Sequence, residues 1–160
     1  MKILIVSDTH RHNENLKHII ERTAPIDLLI HLGDSEGTED AIFKMSPCPV
    51  EMVAGNNDFF TGLKREIHTV IGKYKVFLTH GHQYFLSSGY DSLIKNSKDA
   101  DIIMFGHTHR PVIFMKDGKV ILNPGSVSYP RQEGRVPSYI IMELDKNGEA
   151  HFTLNYLENI

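Results

Sequence analysis

The chain of 160 residues has no tryptophan and a single cysteine, Cys48, set between Pro47 and Pro49. One thiol excludes an internal disulfide and a thiolate metal cluster, and it fits a reducing compartment. Long apolar runs are missing too. The N-terminal stretch ILIV is four residues long and gives way at once to Ser7 and Asp8. That is far short of a signal-peptide core or a membrane span, so a cytoplasmic protein with no membrane partner is expected. Nor does one sign of charge dominate: 17 Lys and Arg against 20 Asp and Glu leave a net charge of −3. Bulk charge therefore gives nucleic acid no support as a partner, and the basic residues around Lys64, Arg65, Lys73 and Lys75 read as a solvated face. No repeat, Gly/Ser linker or low-complexity segment interrupts the chain, so residues 1–160 are expected to form one domain around one core.

What the chain has in quantity is histidine, ten in all and none in a tag-like tract. A local pattern also recurs. KILIVSDTH, DLLIHLGDS, PVEMVAGNND, YKVFLTHGH and DIIMFGHTH are each a short apolar run that stops at Asp, Asn, His or Gly. Near-continuous apolar runs of this length suit strands buried on both faces. Between the first two, NENLKHIIERTA has Leu16, Ile19 and Ile20 at helical spacing, with Asn13 as the expected cap and Pro25 as the stop. Further helices are expected over about 37–45 and 89–98. Asp117–Gly118 and Asn147–Gly148 sit between apolar runs and predict hairpins. An α/β fold follows, two packed sheets with helices outside and the hairpins mostly in the second sheet.

In open α/β sheets, binding residues gather just past the carboxyl ends of strands, where rigid strands hold polar tips in one crevice. Beyond the five runs come Asp8 and His10, then Asp34, then Asn56, Asn57 and Asp58, then His80 and His82, then His107 and His109. Oxygen and imidazole donors without sulfur suit Mn, Fe, Co, Ni or Zn better than Ca. About seven groups exceed what one ion takes from protein, so two divalent ions are expected. Asp34 is the candidate bridge, because it lies between the outer ligand groups in the chain and Gly33 before it allows close backbone approach. Each fragment alone has a plain structural explanation, DTH as a cap, GD as a turn, GHTH as satisfied histidines at a sheet edge. Their conjunction at five strand ends is hard to attribute to packing, since unpaired buried polar groups cost about 1 to 3 kcal/mol each. His18 and His151 read as solvated, His31 as a hydrogen-bonded core histidine, and Arg11 and His12 as a loop beside the site.

The ordered set DTH, GD, GNND, HGH and GHTH resembles the calcineurin-like metallophosphoesterase superfamily, above all its small bacterial and archaeal phosphodiesterase branch. The resemblance runs from Ser7 through NPGSVSYPR at 123–131. It implies a four-layer αββα sandwich and two ions, one held by Asp8, His10, Asp34 and His109, the other by Asp34, Asn56, His80 and His107. Mn²⁺ leads the implied metals, with Ni, Fe, Co and Zn as alternatives. The implied activity is hydrolysis of a small phosphate ester, foremost a diester, by in-line attack of metal-bound hydroxide. Asn57 occupies the catalytic position where many superfamily members have His and the small branch often has Cys. An amide cannot give up a proton near neutral pH, so leaving-group protonation is expected from His82 or water. Arg11 stands where relatives commonly have Gly. Two alternatives stay open, a phosphomonoesterase and a noncatalytic protein scaffold like the retromer subunit of similar fold. The composition permits a homo-oligomer.

Overall fold

Alternation along the strands decides the layering. In β1 (Lys2–Val6), Ile3 and Ile5 turn to one side, Leu4 and Val6 to the other, and all four are fully buried. A strand buried on both faces must lie between two apolar layers. The computed structural model, which describes residues 1–158, shows those layers. One sheet has the order β10-β9-β1-β2-β3, the other β4-β5-β6-β8-β7. The first joins β2 (Leu28–His31), β3 (Val50–Met52), β9 (Ser138–Leu144) and β10 (Ala150–Tyr156) to β1. The second holds β4 (Glu66–Ile71), β5 (Tyr74–Thr79), β6 (Ile102–Met104), β7 (Val112–Lys116) and β8 (Lys119–Asn123).

Ile3, Ile5, Ile30, Val76, Leu78, Ile102 and Met104 meet between the sheets. Leu4, Val6 and Leu29 face outward onto Leu16, Ile19 and Ile20 of α1 (Glu14–Thr23) and Ile42 of α2 (Glu39–Met45). Phe77 and Ile103 face outward on the other side, onto Leu93 of α3 (Asp91–Asn96). This is the expected four-layer sandwich. Each sheet has three adjacent parallel strands, β1-β2-β3 at one side of the first and β5-β6-β8 at the centre of the second. The carboxyl ends of β1, β2, β3, β5 and β6 carry the five ligand motifs.

Local departures have local causes. α2 begins later than expected because Gly37 before it has φ +83°, and α3 is shorter because Gly89 at φ +111° and Lys98 at φ +56° flank it; neither φ continues a helix. Asn13 caps α1 by position, but its side-chain oxygen accepts no cap hydrogen bond from the helix, since its φ of −95° and ψ of 1° depart from the extended cap geometry. The Asp117–Gly118 hairpin joins β7 to β8 in the second sheet, with positive φ at both turn residues. The hairpin around Asn147–Gly148, however, joins the first sheet, where β9 pairs antiparallel with β1. A further hairpin, β4–β5 across Gly72–Lys73, was not signalled by the apolar runs, because β4 alternates between exposed and half-buried residues.

Candidate metal centre

Strain collects where the strands end. Asp8, His10, Asp34, His107 and His109 all adopt positive φ, between +43° and +69°, as do Arg11 and Glu36 beside them. For non-glycine residues this conformation costs about 1 to 3 kcal/mol each, and it persists only where surrounding structure imposes it. The surroundings here are tight. A Cβ on Gly33 would meet His80 Nδ1 at 2.7 Å, and one on Gly106 would meet Ser7 Oγ at 2.1 Å. These two glycines let the β2 and β6 loops close on the site.

Six of the expected donors converge. Asp8 is fully buried; its Oδ2 accepts from Ser7 Oγ at 2.6 Å and from the His107 amide at 3.2 Å. Among the described residues its Oδ1 has no hydrogen-bond partner. Around that oxygen stand the Nε2 atoms of His109, His10 and His80, at 3.2, 3.7 and 3.8 Å. His10 Nε2 and His109 Nε2 approach to 3.1 Å, and His80 Nε2 lies 3.1 Å from Asn56 Oδ1 and 3.4 Å from Asp34 Oδ2. Ligand atoms thus fall into two groups, Asp8–His10–His109 and Asp8–Asp34–His80. Asp8 is common to both, while Asp34 Oδ2 also lies 3.7 Å from His10 Nε2. The His107 ring sits beside this set, its centroid 5.2 Å from that of His80 and 6.2 Å from that of His82.

The far nitrogens of the three convergent imidazoles are already spoken for. Nδ1 of His80 donates to the Leu32 carbonyl at 2.6 Å, Nδ1 of His109 to the Tyr129 carbonyl at 2.6 Å, and Nδ1 of His10 to Glu36 Oε1 at 2.7 Å. Fixing the proton on Nδ1 leaves Nε2 as a lone pair aimed inward, the arrangement that metal-bound histidines require. Together with the orphaned Asp8 oxygen, these donors fit divalent cations. With no sulfur among them, they fit the nitrogen- and oxygen-preferring first-row metals.

The carboxylates and imidazoles of this cluster shift one another's protonation. Burial raises the carboxyl of Asp8, but His80, His10 and His109 more than offset this and hold it well below the usual carboxylate range. Asp34 is likewise opposed by burial yet brought down to about 2 by His80 and by Asn57. Burial works against a proton on His10, but Asp8 and Glu36 raise it to about 9; His80 is raised by Asp8 and Asp34 against the same penalty. His82 and His107 are lowered, by burial first and then by His80.

Asn57, Asp58 and Glu36 have parts that residue types alone did not show. Asn57 donates twice to one carboxylate, its amide to Asp34 Oδ1 at 2.9 Å and its Nδ2 to Asp34 Oδ2 at 2.8 Å. Asp58 is a backbone clamp: Oδ2 accepts from the amides of Asp34 and Gly55, and Oδ1 from the amide of Glu36 and Ser35 Oγ. Their signal was proximity, Glu36 two residues past GD and Asp58 closing GNND. His82 stands aside from the convergent set, in the wall of a 380 Å³ cleft with Phe85, Leu86 and His107, and its Nδ1 is buried without a partner. His31 is the core histidine expected, its Nε2 3.1 Å from Thr9 Oγ1 and its Nδ1 accepting from the Gly33 amide at 3.2 Å. Among the described residues, no helix is long and apolar enough to cross a membrane.

Residues 1–147 match the family described as the calcineurin-like phosphoesterase superfamily domain. A probable metallophosphoesterase of Bacillus subtilis, YsnB, is 36% identical over 151 residues, which cover 92% of this chain and 86% of that protein. The crystal structure of a predicted phosphoesterase from Streptococcus pneumoniae has a TM-score of 0.81 at 29% identity, covering 98% of this chain and 88% of that one. A structure described as a novel archaeal phosphodiesterase has a TM-score of 0.76 at 27% identity, covering 97% and 100%. Vps29 of Entamoeba histolytica, solved in complex with zinc, has a TM-score of 0.77 at 25% identity, covering 98% and 99%.

Proposed function

The chain belongs to the calcineurin-like phosphoesterase superfamily, and we propose that within it this protein is a phosphodiesterase that uses two divalent cations, Mn²⁺ foremost. One observation carries the reading. A fully buried, unpartnered carboxylate oxygen, Asp8 Oδ1, is ringed by three imidazole Nε2 atoms whose Nδ1 partners leave them free to ligate. Asp8, His10 and His109 would hold one cation; Asp34, His80, Asn56 and His107 would hold the other, with Asp8 and Asp34 facing both. When bound, such a pair supplies Lewis acidity toward phosphoryl oxygens and lowers the pKa of water toward neutrality.

The chain's own residues do the rest. Glu36, Leu32 and Tyr129 orient the imidazoles, and Asn57 grips both oxygens of Asp34, so the donors are set before substrate arrives. With its amide committed to Asp34, Asn57 is a positioning residue and has no proton to offer a leaving group. His82, in the cleft wall beside His107, is the candidate to serve a departing group, with water as its alternative. Phenolic leaving groups, which need no proton, should therefore be cleaved much faster than alkoxides. A diester is favoured because clefts of 630 and 380 Å³ flank the centre, one past His10 and His109 and one past His82 and His107. A phosphate between them has room for both ester arms. The likeness to the archaeal phosphodiesterase supports the same choice, and the lone free Cys48 is in keeping with a cytoplasmic site of action.

A chromogenic phosphodiester assayed with Mn²⁺, with chelator, and with Mn²⁺ restored tests the reading. Turnover should vanish on chelation and return with metal. The likeness to Vps29 gives a second reading, a noncatalytic scaffold of the same fold. Protein with its metal sites filled that turns over neither diester nor monoester would favour it.

A further inference from the structure

The 630 Å³ cleft past His10 and His109 has an unusual wall. Three of the chain's six arginines, Arg11, Arg131 and Arg135, line it, with no lysine and only Glu36 as a counter-charge. With histidines counted as neutral, three positive groups less one negative leave +2 in this cleft, within a chain of net charge −3 on the same count. Glu36 is also occupied: its Oε1 accepts from His10, and its Oε2 lies 3.5 Å from Arg11 Nε. Among the described residues, Arg131 and Arg135 have no carboxylate within 4.0 Å. The wall is tied to the centre. Arg11 follows His10 directly, and the Arg131 amide donates to the His109 carbonyl at 3.0 Å while the Tyr129 carbonyl accepts from His109 Nδ1 at 2.6 Å. The Arg131 backbone therefore stands at a set register from His109.

We propose that this cleft is a subsite for a second oxyanion on the substrate, so that the ester arm lying past His10 and His109 ends in a phosphate or a carboxylate. The inference rests on the hydrolase reading above. Guanidinium groups present paired N–H donors that match such oxyanions, which explains arginine without lysine here. The reacting phosphate would be held by the two cations of the proposed centre, which leaves these arginines free for a second group on the substrate. Arg131 borders the second cleft as well, so it is the residue best placed to sense which arm lies where.

The test uses the Mn²⁺-loaded chain and three p-nitrophenyl diesters whose other arm ends in methyl, carboxylate or phosphate. The phosphate arm should exceed the methyl arm in kcat/KM by about tenfold or more, chiefly through KM, with the advantage shrinking as salt rises. In Arg131→Gln/Arg135→Gln the ratio of phosphate arm to methyl arm should fall toward one. A gain confined to the phosphate arm assigns the subsite to a second phosphate; an equal gain with carboxylate assigns it to oxyanions generally. Equal kcat/KM for all three arms, or a ratio untouched by the double substitution, overturns the proposal. Should no ester turn over, the hydrolase reading fails instead, and calorimetry still decides the subsite. Adenosine 3′,5′-bisphosphate should then bind the wild-type chain about tenfold more tightly than adenosine 5′-monophosphate and lose that margin in the double variant. Equal affinities for the two would overturn it.

Discussion

The two sides of Asp8 are built differently. On the inner side, His80 is fully buried and held by a main-chain carbonyl, and Asp34, 2% exposed, is gripped at both oxygens by Asn57. On the outer side, His109 is likewise held by a main-chain carbonyl, but His10 is 15% exposed and held by the side chain of Glu36, itself 25% exposed. Main-chain partners are fixed by the sheet, whereas a half-exposed carboxylate has rotamer freedom to lose before it can orient a ligand. The inner cation should accordingly bind tightly in a preformed cage, and the outer one should exchange. The outer side is also where the arginine-walled cleft opens.

The largest effect should come from removing what both sides share. Asp8→Asn keeps the shape and leaves the Ser7 hydroxyl and His107 amide within reach, yet it removes the charge common to both groups; metal analysis should show both cations lost, and turnover should fall by about a thousandfold, roughly 4 kcal/mol of transition-state stabilisation. Glu36→Gln should separate the sides. Removing an orienting partner weakens metal binding by about 10- to 100-fold, so a Mn²⁺ titration should show one weakened site and one unchanged. Asn57→Ala acts on the inner side and removes one charge-assisted hydrogen bond while the backbone donor stays. A loss of about tenfold in kcat is expected, with the leaving-group dependence of the wild type retained. Were the dependence to steepen instead, Asn57 would be serving the leaving group after all.

The smallest effect is that of pH. With His10 raised to about 9 in the metal-free protein, its proton is bound at neutrality and competes with the cation. Apparent Mn²⁺ affinity on the outer side should therefore rise with pH, by at most about tenfold per unit, and level off above about 9. Isothermal titration in buffers of different ionisation enthalpy would count the protons released.

The strand-end motifs were legible because a buried strand has few ways to spend polar residues, and Asp8, Asp34, Asn56, His80 and His109 meet as the apolar runs before them imply. Less legible was everything that depends on contacts across the chain. That Asp8 stands with Asp34 between the two groups of donors is set by side-chain directions, whereas chain order pointed to Asp34 alone. The hold of Asn57 on Asp34 needs the β2 and β3 loops side by side. The β9–β10 hairpin carries the same turn signal as β7–β8, and only its pairing with β1 places it in the first sheet. Arg11, Arg131 and Arg135 lie up to 124 positions apart, so no local pattern could show them as one wall.

Anomalous diffraction from crystals grown with Mn²⁺ tests the central claim most directly. Two peaks about 3.5–4 Å apart should flank Asp8, one against His10 and His109 and the other against Asp34 and His80, the outer one fading first on brief exposure to chelator. A single peak, or peaks that leave Asp8 without a cation, would contradict the account.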